Sequence, residues 1–161
     1  MQSSSTDDTI VLPTTKLKAS KMTTPRQLVV SGMISGVDDE TWPFADELMH
    51  ESIQARIVLA AEDVPQDLVK FTKGWGGECR LEVTMTAKLQ TAGFIRVEVN
   101  GKLFEGTSET TDDLEDEKTL TALVPRGGIP VPFTMQLHSR GLGGGDAGTV
   151  NVTFVNSLVD E

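Results

Sequence analysis

Residues 80–105 read RLEVTMTAKLQTAGFIRVEVNGKLFE, and this stretch decides the fold. In its first half Leu81, Val83, Met85, Ala87 and Leu89 alternate with Arg80, Glu82, Thr84, Thr86, Lys88 and Gln90. A period of two is what a strand needs when one face is buried and the other meets water. Thr91-Ala92-Gly93 then suits a three-residue hairpin loop with Gly93 left-handed. Asn100-Gly101 is expected to form a two-residue type I′ turn, because both residue types tolerate positive φ. In that register Val99 faces Lys102, Val97 faces Phe104, and Arg96 faces Glu105 as a cross-strand ion pair.

The same alternation recurs on both sides. Leu28, Val30 and Ile34 share one face, with Gly32 expected at a bulge or a close backbone approach. Ile53, Ala55, Ile57 and Leu59 alternate with Gln54, Arg56 and Val58. Further on come Leu120, Ala122 and Val124, then Val131, Phe133, Met135 and Leu137, then Val150, Val152 and Phe154. Pro130 and Pro132 confine the start of their strand to a sheet edge. Two segments read instead as short helices. One opens at Pro43 and carries Phe44, Leu48 and Met49. The other opens at Pro65, with Lys73 in its last turn, Gly74 as its cap, and Leu68 and Phe71 on the core side. The expected fold is all-β: an antiparallel two-sheet β-sandwich, jelly-roll or immunoglobulin-like, of about seven or eight strands. A closed β-barrel is the alternative that periodicity leaves open. The paired cysteines and tyrosine corner of immunoglobulin domains are missing, since the chain has one Cys and no Tyr.

At 161 residues the chain suits one domain, assigned to residues 25–161. Residues 1–24, rich in Ser, Thr, Lys and Asp, read as an N-terminal arm, flexible or docked on a partner, whose one apolar run is Ile10, Val11 and Leu12. A net charge of −10 argues against nucleic acid as a partner. It also opposes an anionic membrane surface unless a divalent cation bridges the two. No apolar run approaches the length of a bilayer span. Residues 1–9 lack the basic and apolar parts of a signal peptide, so the expectation is a cytoplasmic or intracellularly assembled protein. Cys79, alone, forms no intrachain disulfide and reads as a small apolar filler whose pKa Glu78 would raise.

Asp112, Asp113, Glu115, Asp116 and Glu117 crowd one connection between strands. Crowded carboxylates suit a hard cation such as Ca²⁺, although the spacing is not that of an EF-hand; a solvated acidic turn guarding a sheet edge is the plain alternative. Asp38 and Asp146 join the candidate metal set with Asp112, Asp113 and Asp116, provided the loops at one end of the sandwich meet. The glycine-rich residues 140–148 lack the Lys-Ser/Thr of a phosphate-binding loop. His50 and His138 are the two histidines; residues 50–54 lack the second His of a zinc-protease helix, and no G-x-S-x-G occurs. Trp42 and Trp75 lie beside Pro or Gly in irregular segments, as partner-binding anchors or as core under a loop. The expected function is therefore a non-catalytic structural or interaction protein that assembles with itself or a larger complex and needs no cofactor. The alternatives are a Ca²⁺-dependent module for a glycan or anionic lipid, and a hydrolase using His50 or His138 with a carboxylate.

Overall fold

The computed structural model describes residues 22–40, 43–140 and 145–159. Within them the chain forms β1 (Met22–Asp38), β2 (Glu47–Ala61), β3 (Pro65–Trp75), β4 (Cys79–Leu89), β5 (Ile95–Glu105), β6 (Leu114–Val124), β7 (Val131–His138) and β8 (Ala147–Leu158). These make two antiparallel four-stranded sheets, ordered β2-β1-β8-β7 and β3-β4-β5-β6. The expected all-β sandwich is what forms, and the sheets do not close into a barrel. The path is up-and-down. The chain leaves the first sheet after β2, meanders through the second, and returns for β7 and β8, so β8 pairs with β1. The Greek-key crossings of a jelly roll or immunoglobulin domain are absent among the described strands.

The core is the space between the inner faces. Leu81, Val83, Met85, Ala87 and Leu89 of β4 are all buried, and so are Leu28, Val30 and Ile34 of β1 and Val150, Val152 and Phe154 of β8. Phe133 packs edge-on against Phe154 with ring centroids 5.9 Å apart. Pro132 sits in β7, an edge strand, as its missing N–H requires. Gly32 marks a close approach, where any Cβ would collide with the Asn151 carbonyl of β8, and the β1–β2 register runs through it without a bulge. Leu120, expected in the core, is 42% exposed because β6 is an edge strand.

Three local expectations fail for tertiary reasons. Residues 43–46 form no helix, and Met49 faces the core from within β2. Residues 65–75 are strand β3, not helix. The i, i+3 spacing of Leu68 and Phe71 comes from a register shift between Asp67 and Val69, where Leu68 is the extra residue and the apolar phase slips by one. Asn100-Gly101 makes no turn either: both lie inside β5, where Asn100 pairs with Thr84 and Gly101 with Val83. Arg96 therefore pairs with Lys88, and Glu105 with Cys79. A Cβ on Gly101 would stand 2.8 Å from Met135 Sδ and 3.0 Å from Leu137 Cδ1, so the facing sheet needs a glycine there for space. The hairpin loop is the one at residues 91–93, where Ala92 and Gly93 take φ of 65° and 80°.

One end of the sandwich is closed by a satisfied polar clasp. The buried Asn156 of β8 accepts from Arg26 Nε at 2.7 Å and donates to the carbonyls of Gly93 at 2.9 Å and Val124 at 3.1 Å. It ties the first sheet to two strand ends of the second. Asn156→Ala would strip the buried guanidinium of its acceptor and leave two carbonyls unmet, a loss of about 2–4 kcal/mol measurable by urea denaturation. Gly101→Val should cost about 1–3 kcal/mol in the same assay by overpacking Met135 and Leu137.

Candidate functional site

The hairpin connections β1–β2, β3–β4, β5–β6 and β7–β8 all emerge at the end opposite the Asn156 clasp. An up-and-down path makes this unavoidable, and it gathers the acidic loops in one place. Asp38 ends β1, Cys79 starts β4, Glu105 ends β5 and Asp146 immediately precedes β8. Each lies on the inward parity of its strand, in phase with Ile34, Leu81, Leu103 and Val150 respectively. Polar side chains thus continue the apolar rows into the mouth of the core.

Ligand-capable atoms of Asp38, Cys79 and Asp146 lie within 4.8 Å of one another, and all three residues are buried. Asp38, Glu40 and Glu78 form a second such group, more exposed and sharing Asp38. The Asp39 N–H donates to Asp146 Oδ1 at 2.8 Å and fixes that carboxylate. Asp38 is only 2% exposed, yet its Oδ2 meets no hydrogen-bond donor. Gly76, at φ 67°, passes directly beneath this oxygen, where any Cβ would collide with it. The buried Nε1 of Trp75 is also without a partner, and its indole lies against Gly36.

Burial first, and then the negative charge of Asp146, Glu78, Glu40 and Glu47, pushes the Asp38 carboxyl up to about 7. Burial and the approach of Asp146 likewise raise Glu105, with Ser139 opposing in part. Burial, followed by Asp146, Asp38, Glu105 and Glu78, drives the Cys79 thiol far up. The expectation that Glu78 raises Cys79 has the right sign, but burial and three other carboxylates outweigh it.

The candidate metal set divides. Asp38 and Asp146 meet. Asp112 and Asp113 are exposed, and Thr111 Oγ1 donates to Asp113 Oδ2 at 3.0 Å. Asp116 is buried but already engaged: it accepts from the His138 N–H at 3.1 Å and pairs with Lys118 and Arg140, each at 3.4 Å. Burial raises its carboxyl, but those three partners outweigh burial and the net effect is a lowered pKa. Among the described residues, no metal-like grouping contains Asp112, Asp113 or Asp116. Arg80 anchors the β5–β6 connection, donating to the carbonyls of Glu109 and Thr111 and stacking 4.2 Å over Phe104.

His50 on β2 and His138 on β7 stand on opposite edges of one sheet, three strand spacings or roughly 14 Å apart, so they do not converge. Trp75 is 6% exposed and packs in the core, the plainer of its two expected roles. Ile10, Val11, Leu12 and Trp42 lie outside the described residues. Cys79 and Glu105 are the site residues that sequence reasoning passed over. Their signal was parity, a thiol and a carboxylate in phase with apolar neighbours at strand ends.

A raised carboxyl binds its proton more tightly in the folded state than in the unfolded one. Asp38 therefore contributes stability below its ordinary value of 3.8, and the contribution is lost as pH rises through about 7. In chelator-treated protein, thermal or urea stability should decline by a few kcal/mol between these limits, and Asp38→Asn should flatten the decline. Asp116 acts with opposite sign, its contribution being lost as pH falls through its lowered pKa. No helix among the described residues is long and apolar enough to cross a membrane. No protein-family model matches this chain, and no curated protein does.

Proposed function

We propose that this protein is a non-catalytic interaction module that assembles with further copies of itself by taking an extended segment into the open seam between β2 and β3. The observation that carries this reading is the incomplete closure of the core along that seam. Among the described strands β2 pairs only with β1 and β3 only with β4, so each presents a free row of backbone donors and acceptors. Ile53, Ala55 and Ile57 of β2, with Leu68, Val69 and Phe71 of β3, are only partly buried, whereas their counterparts in the central strands are fully buried. A groove of about 350 Å³ runs between residues 52–55 and 68–71.

A strand added to such an edge gains main-chain hydrogen bonds, and alternate side chains enter the groove. Residues 10–12, an apolar run between Thr9 and Pro13, supply a candidate segment within the same chain. The arm carries Lys16, Lys18 and Lys21 against Asp7 and Asp8, so it is net positive, while the body carries the excess negative charge. Long-range attraction therefore favours docking of the arm on a neighbouring body.

Light scattering on a sizing column tests this directly. The full chain should run as a defined oligomer. Removal of residues 1–20, or Ala55→Arg in the groove, should return it to monomer with the thermal melt retained. A monomeric full chain at micromolar concentration, or an oligomer indifferent to both changes, would defeat the reading.

A further inference from the structure

A cation site, independent of the seam, is suggested by the mouth of the core. We propose that Asp38, Asp146 and Cys79 bind a divalent cation of the Zn²⁺ class, through one oxygen of each carboxylate and the Cys79 thiolate. Their ligand atoms already lie within 4.8 Å of one another. Zn–S and Zn–O bonds of about 2.3 and 2.0–2.2 Å require these atoms to draw closer together on one ion. The three residues come from the end of β1, the start of β4 and the entry to β8. Strand ends hold them more rigidly than loop tips would.

The observation that asks for a ligand is Asp38 Oδ2. It belongs to a residue 98% buried (2% exposed) whose carboxylate is a member of the cluster, lies over Gly76, and meets no donor. A buried carboxylate oxygen with no partner is costly, and adjacent carboxylates multiply the cost. One proton relieves one carboxyl. A dication offsets two of the three negative charges of Asp38, Asp146 and the Cys79 thiolate, and gives the Asp38 carboxylate the partner it lacks.

The surroundings fit this assignment. The Asp39 N–H orients Asp146 by its Oδ1 at 2.8 Å, an outer hydrogen bond of the kind that positions metal ligands. Glu40 and Glu78, grouped with Asp38 on the more exposed side, give an incoming cation an acidic entry. A sulfur donor among oxygens selects against Ca²⁺ and Mg²⁺, which take oxygen, and towards Zn²⁺. Coordination displaces the thiol proton to solvent, so binding releases one H⁺ from Cys79.

The test uses the full chain, freed of metal with a chelator and then melted with Zn²⁺, Ca²⁺ or Mg²⁺ alone. Zn²⁺ at about a hundredfold over Kd should raise Tm by roughly 5–10 °C, with one ion bound per chain. Asp38→Asn and Cys79→Ser should abolish the rise, while each variant's melt in chelator verifies that it folds. Co²⁺ loading should give a thiolate-to-cobalt absorption in the near ultraviolet that Cys79→Ser removes. No shift with Zn²⁺, a shift that survives both substitutions, or stabilisation by Ca²⁺ alone would each overturn the site.

Discussion

The constraint on which the rest of this structure depends is the contact between the inner faces of two four-stranded sheets. Two such faces pack about 10 Å apart, so every inward position must be filled by a side chain of suitable size from one sheet or the other. Met135 and Leu137 reach across to β5 only because Gly101 leaves room, and Trp75 fits because Gly36 does. Apolar burial along β1, β4, β5 and β8 supplies the driving force. The polar outer faces settle which way each strand must point.

A sandwich also has two ends, where the inward parity runs out of apolar residues, and this chain treats them differently. At one end Arg26 and Asn156 are inward, buried and mutually satisfied, with the Gly93 and Val124 carbonyls completing the set. At the other, Asp38, Glu105 and Asp146 are inward beside Cys79, and burial with mutual repulsion raises the Asp38 and Glu105 carboxyls. The first arrangement holds the sheets together. The second concentrates like charge in a poorly hydrated place, a cost that makes sense when something other than stability is gained there.

The sequence by itself determined the fold class, because a period of two is a local property that survives any tertiary arrangement. Leu81 to Leu89 could be read as a half-buried strand with no knowledge of their neighbours, and Pro132 as an edge residue from its missing N–H. Tertiary structure decided what depended on partners far along the chain. Asn100-Gly101 permits a turn without requiring one, and Met135 and Leu137 on the facing sheet keep it extended. The spacing of Leu68 and Phe71 matches a helix, but pairing with β4 turns it into a bulged strand. The acidic site was half legible: Asp38 and Asp146 could be named as candidates, but not their meeting with Cys79 and Glu105. Asp39 and Asp146 touch across 107 residues of chain, and only the up-and-down path, which sends the β1–β2, β3–β4, β5–β6 and β7–β8 connections to one end, brings them together. Local pattern encodes which face of a strand is buried; which strand ends share a mouth is a property of connectivity, and it exists only once the sheets have packed.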